Sequence, residues 1–230
     1  MKRVLLISYP FPPVGGAGVQ RVTKFVKYLP GHGWMPTVLT VANPSVPARD
    51  DSLLHDVPAE VQVHRARTFE PSYAVKSQAL RGGTKSTPAR GIKSLVKRGF
   101  MRAARLVLQP DPQVLWAPAA ARLGLRLLRE TPHDAILVSG PPFSSFLNGA
   151  YLSRKTRVPL VLDYRDEWDI SNAHWENKLP GRMSLKIQSA MQAWAVRSAR
   201  ALVATTRHSA TALEAVRDRA GGKGPVAWIY

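Results

Sequence analysis

The chain has 230 residues of which 45% are hydrophobic, enough apolar material for one large core or two small ones, which excludes an intrinsically disordered protein. It contains no cysteine, so disulfides, thiolate metal sites and cysteine nucleophiles are excluded, and a reducing cytoplasm fits this composition. The formal net charge is +18; nine positive residues (Lys76, Arg81, Lys85, Arg90, Lys93, Lys97, Arg98, Arg102 and Arg105) stand between Pro71 and Pro110 without one acid, which points either to a phosphate-bearing partner or to a solvated basic face.

The N-terminus, MKRVLLISYPFPP, starts basic, but its apolar run of about five residues is too short for a signal-peptide core. No window approaches the roughly 18 apolar residues of a membrane span, so any membrane contact is expected to be peripheral. In chain order, the β-type apolar runs are Arg3 to Ser8, Thr37 to Val41, Val61 to Arg65, Ala135 to Ser139, Leu160 to Asp163 and Ala201 to Ala204. Helical patterns lie between them, at Val19 to Leu29, Ile92 to Leu108, Ala119 to Glu130, Ser144 to Arg154, Met183 to Ser198 and Ser209 to Arg219. This alternation predicts an α/β fold: a doubly wound, mainly parallel Rossmann-like sheet with both faces covered. Residues 1–220 are read as one domain carrying a basic insertion near 71–110.

Two stretches interrupt the rhythm. Ala42 to Pro58, rich in Pro, Asp and Ser, reads as a long loop, and Arg81 to Ala89 (RGGTKSTPA) as a flexible tip. Between the tip and Leu108, Ile92, Leu95, Val96, Phe100, Ala103, Leu106 and Val107 share one helical face, while Lys93, Lys97, Arg98, Arg102 and Arg105 spread over the other. Such a helix either packs on the domain or lies in an anionic membrane interface. The last residues, AGGKGPVAWIY, read as a glycine-rich hinge leading into a further strand or the start of another domain, over 221–230.

Four unusual segments follow predicted strands, and in an open parallel sheet ligands bind outside the carboxyl ends of the strands. The first is YPFPPVGGAGVQR, where Gly15, Gly16 and Gly18 allow close approach of a ligand to the backbone, with Gln20 and Arg21 in the first helical turn. It is not a dinucleotide fingerprint, because Arg21 stands where a third small residue belongs, and no GxxxxGK[ST] is present. The second, SGPPFSS, offers Ser139 as a donor to a sugar hydroxyl, Gly140 for close approach, and Pro141 or Pro142 as an opening for the next helix, or else a plain helix cap. The third, DYRDEWD, places Asp163 and Arg165 on one side of an extended segment, with an Arg165–Asp166 ion pair as an alternative. Trp168 either stacks on a sugar or anchors the loop. Its paired carboxylates also allow glycoside hydrolysis. The fourth is TTRHS. The six histidines lack metal-ligand spacing, and no metal is expected.

YPFPPVGGAGVQR, PDPQVLW, VSGPP and DYRDEW, in this order and spacing from Met1 to about Thr206, resemble the N-terminal, acceptor-side half of a family-four glycosyltransferase of the GT-B fold. The resemblance implies a retaining transfer of sugar from a nucleotide-sugar donor to an acceptor hydroxyl, without metal or other cofactor. It implies a second Rossmann-like domain that binds the donor. That half has no counterpart in these 230 residues, so this chain alone is expected to be inactive, with the donor half in further chain or in a separate subunit. Where many members carry a histidine after the fourth strand, this sequence has Ser139-Gly140-Pro141, which leaves the catalytic residues open. The implied partners are a nucleotide sugar, a glycan or lipid-linked acceptor of cell-envelope biosynthesis, and the inner face of an anionic membrane. Nucleic acid is the competing partner that charge alone suggests; no RRM, KH or helix-turn-helix signature supports it. A docking module without catalysis is the other alternative.

Overall fold

The computed structural model describes residues 1–44, 49–71, 108–168 and 181–230. The helix expected near 92–108 lies outside the described residues except for Leu108, as do the tip at 81–89 and the cations Lys93, Lys97, Arg98, Arg102 and Arg105.

Strands β1 (Lys2–Ile7), β2 (Trp34–Val41), β3 (Gln62–Ala66), β4 (Ala135–Gly140), β5 (Leu160–Tyr164), β6 (Ala201–Ala204) and β7 (Val226–Trp228) form one sheet in the order β3-β2-β1-β4-β5-β6-β7. Every pairing is parallel. Helices α1 (Ala17–Tyr28), α2 (Ala117–Glu130), α3 (Ser144–Thr156), α4 (Arg182–Ser198) and α5 (Arg207–Ala220) connect them. This is the doubly wound α/β architecture that the alternation of apolar runs predicts, and β7 carries the sheet past the Gly221–Gly224 turn.

Because side chains alternate along a strand, β1 feeds two cores at once. Leu6 joins Val38 beneath Val22 and Val26 of α1. Leu5 and Ile7 face the other way, into a larger cluster with Leu127 and Leu128 of α2, Phe146 and Leu152 of α3, Val196 of α4 and Leu213 of α5. So α1 covers one face, α2 to α5 the other, as right-handed crossovers in the two chain directions require. The order reverses between β1 and β4, which is where an open α/β sheet leaves its crevice.

The described part of the segment 42–58 is less irregular than its composition suggests. A 3-10 helix occupies Asp51–Asp56, and Asp50 caps it by accepting from the Ser52 amide at 3.0 Å. Its last residue, Asp56, accepts from both Lys24 and Lys27 of α1, which holds its carboxyl down at about 2.

Candidate functional site

Parallel strands all end on the same side, so the turns after β1, β4, β5 and β6 share one rim. At the first, α1 begins with Gly16 as its N-cap, at φ 114° and ψ 159°, a backbone region closed to residues with a Cβ. Gly16 is exposed, with nothing within 4 Å of where a Cβ would stand. Gln20 is exposed on the same turn and Gly15 is half-buried. The amides of Ala17 and Gly18 in this first turn have no intrahelical acceptor, whereas that of Val19 donates to Gly16 O at 3.1 Å.

The rim side chains Arg21, Ser139, Asp163 and Arg165 are engaged within the protein. Arg21 reaches from α1 to the end of β5, where Nη2 donates to Asp163 Oδ1 at 2.7 Å and Nε lies 3.0 and 3.1 Å from the two carboxylate oxygens. Its Nη1 donates to the Ile229 carbonyl at 2.7 Å, just past β7. Asp163 is fully buried, and its Oδ2 accepts from Ser139 Oγ at 2.7 Å. The Ser139 hydroxyl, expected to face a sugar, therefore points inward to this carboxylate.

Arg165 forms a second junction. Its Nη1 donates to the Gly18 carbonyl at 2.5 Å and its Nη2 to the Pro141 carbonyl, while its own amide donates to Gly140 O at 2.9 Å. The guanidinium goes to two carbonyls rather than to Asp166, which is exposed. Burial lowers the Arg165 pKa from its ordinary value, against the opposing pull of Asp163 and Asp166, with Arg21 adding to the lowering. A Cβ on Gly18 would stand 3.4 Å from the Arg165 guanidinium carbon, so what approaches Gly18 closely is protein.

Gly140 and Trp168 likewise serve packing. A Cβ at Gly140 would meet Phe146 Cε1 at 2.8 Å. Trp168 is buried and stacks on Phe143, centroids 4.5 Å apart at 14°, within a cluster that includes Phe146 and Tyr164. Of the two alternatives for this tryptophan, the loop anchor is the one its position fits. Pro141 and Pro142 precede α3 without opening it, since Ser144 is its first residue.

Two rim carboxylates escaped sequence reasoning. Glu70, buried after β3, accepts from Tyr9 Oη at 2.5 Å. Asp111 accepts from the Ser144 amide at 2.9 Å and so serves the start of α3, while its Oδ1 is enclosed without a hydrogen-bond partner among the described residues. Burial, with a contribution from Glu70, pushes the Asp111 carboxyl up to about 6. An Asp-Pro pair signals a local turn; nothing local signals a partner 33 residues on.

Residues 15–221 match the model of the glycosyl transferase 4-like domain. The chain belongs to that family. No curated protein matches this glycosyl transferase 4-like domain. Among solved structures it is similar to Phytolacca americana UGT2, at TM-score 0.53 and 9% identity over 98% of this chain and 52% of that one. It is similar to Anabaena HepE at 0.51 and 15%, covering 100% of this chain and 44% of the other. It also resembles a sucrose-phosphate synthase chain from Thermosynechococcus elongatus at 0.52 and 10%, covering 98% and 86%. The likeness is one of fold, that of half a GT-B glycosyltransferase, and the domain spans about half the length of the UGT2 and HepE chains. Among its described residues no helix is long and apolar enough to cross a membrane.

Proposed function

We propose that the domain is the acceptor-side half of a retaining glycosyltransferase that moves a sugar from a nucleoside diphosphate to an acceptor hydroxyl. The observation that carries this reading is the family match over residues 15–221, which includes the open glycine turn at the start of α1. UGT2 is complexed with UDP-2fluoro-glucose and pterostilbene, and HepE with UDP-glucose; by that likeness the donor here is a nucleotide sugar.

In the transfer, the bond from the anomeric carbon to the diphosphate oxygen breaks and a bond from the acceptor oxygen forms, with the hydroxyl proton passing to the departing diphosphate or to water. Negative charge grows on the leaving oxygen. The first-turn amides of α1 beside Gly16 and Gly18, backed by the helix dipole, are suited to stabilise it. Of the described site residues singled out in the sequence, Gly16, Gln20 and Asp166 are the ones that face solvent and are assigned to substrate contact. Gly15, Gly18, Arg21, Ser139, Gly140, Asp163, Arg165 and Trp168 shape the rim around them. No metal or other cofactor is assigned a role.

The donor-binding half is assigned to further chain or to a second subunit, so residues 1–230 alone are inactive. The acceptor is a glycan or lipid-linked molecule of the cell envelope, met in the cytoplasm at an anionic membrane, to which Lys93, Lys97, Arg98, Arg102 and Arg105 are assigned. The test is nucleoside diphosphate release by the complete gene product from a panel of UDP-, GDP-, ADP- and dTDP-sugars, with the product's anomeric configuration read by NMR. Release with retention is expected; its absence across the panel, with salt-sensitive nucleic-acid binding instead, would favour the alternative that the net charge raises.

A further inference from the structure

We propose that Arg165 is a positioning residue, a two-pronged staple that locks the turn after β1 and the turn after β4 into a single frame. The proposal rests on the reading of this rim as the substrate face, yet its structural half is measurable without any substrate.

Four observations converge on it. The two nitrogens of one guanidinium donate to carbonyls in different turns, Gly18 and Pro141, which belong to adjacent strands at the point where the strand order reverses. A planar guanidinium presents donors in a fixed fork, so engaging both carbonyls fixes their separation and orientation, which a single ammonium could not do. The main chain of Arg165 extends the same junction: its amide bonds Gly140 O at 2.9 Å, and its carbonyl accepts from Thr205 Oγ1 at 3.4 Å, at the end of β6. Finally, the guanidinium lies directly against Gly18, its carbon 3.4 Å from where a Cβ would stand, an ordinary contact distance. A carbonyl drawn toward Arg165 at Gly18 fixes the Gly18–Val19 peptide, whose amide donates to Gly16 O at 3.1 Å, and so holds the backbone of Gly16 to Gly18 in place at the rim. Arg165 thus acts on the substrate through Gly16 to Gly18 and does not touch it.

The test compares the wild-type chain with Arg165→Ala and Arg165→Lys by hydrogen exchange. The expected result for Arg165→Ala is at least tenfold faster exchange at residues 16–19 and 139–145 together, with the amides of β1 and β4 unchanged. Arg165→Lys, whose single ammonium lacks the fixed fork, should give an intermediate rise. Guanidinium chloride at tens of millimolar should restore slow exchange in Arg165→Ala, where ammonium chloride does not. In the complete gene product, the same variant should lower kcat for nucleoside diphosphate release at least tenfold with KM for the donor little changed, because the frame serves charge that develops after binding. Faster exchange at one turn only, a rise spread over the whole sheet, or no effect of guanidinium would overturn the staple. Should the turns respond as expected while the wild-type gene product releases nothing from any nucleotide sugar, the staple stands and the transferase reading fails.

Discussion

Arg21 and Asp163 are 142 residues apart in the chain and 2.7 Å apart at the rim, where the guanidinium of α1 closes over a fully buried carboxylate of β5. Such a carboxylate depends on its partners, since an uncompensated buried charge is costly. Arg21→Ala should therefore destabilise the domain by about 3–5 kcal/mol, whereas Arg21→Ala in an Asp163→Asn background should cost clearly less. Urea denaturation of the four proteins checks this; equal losses in both backgrounds would show that the pair is not coupled.

Trp168 packs against Phe143 in the aromatic cluster beneath the rim. Its replacement by alanine should cost about 3–5 kcal/mol through the cavity left behind. Trp168→Phe should retain most of the stability. A Trp168→Ala protein of wild-type stability would return this ring to the surface and to sugar stacking.

The two glycines of the first turn should behave oppositely on substitution. Gly16→Ala meets no atom but forces a Cβ onto φ 114°, for a cost of about 1–3 kcal/mol. Gly18→Ala brings a methyl only into ordinary contact with Arg165 and should be nearly neutral, while Gly18→Val should push the guanidinium aside and reproduce the exchange pattern of Arg165→Ala. Thermal unfolding and hydrogen exchange distinguish the three variants.

Asp111 supplies a pH dependence whose sign is fixed by its burial. Its carboxyl rises from the ordinary 3.8 to about 6 in the folded chain, which therefore keeps a proton that the unfolded chain has already released. Stability from this group is greatest below 3.8, declines as pH rises toward 6, and is flat above. The difference between wild type and Asp111→Asn, measured from pH 4 to 7, should change by on the order of 2 kcal/mol in that direction. A difference independent of pH would mean that the carboxylate is solvated.

The central strands were legible because each is a short apolar run that both faces bury, as in VLLI of β1 and ILV of β4. Their shared direction then placed four turns on one rim. What that reasoning could not supply was the partner of each polar side chain. Asp163 reads as a candidate substrate contact until Arg21 and Ser139 are seen to meet it, and Arg165 as its neighbour on an open segment or the ion-pair partner of Asp166 until both its prongs are found on carbonyls. Gly140 misled for a similar reason, because a missing Cβ admits Phe146 as readily as it would a ligand. Apart from that of Gly140 with Phe146 in the next helix, these are contacts between segments more than 20 residues apart, and no local pattern encodes them.

Hydrogen exchange across the complete gene product, with and without the nucleotide sugars of the panel, tests the central claim most directly. The account predicts slowing on residues 14–21 at the start of α1, with any further protection in this domain confined to the turns after β4, β5 and β6. Protection on the opposite ends of the strands, or on the outer surface of α2 to α5 with the glycine turn unaffected, would contradict it.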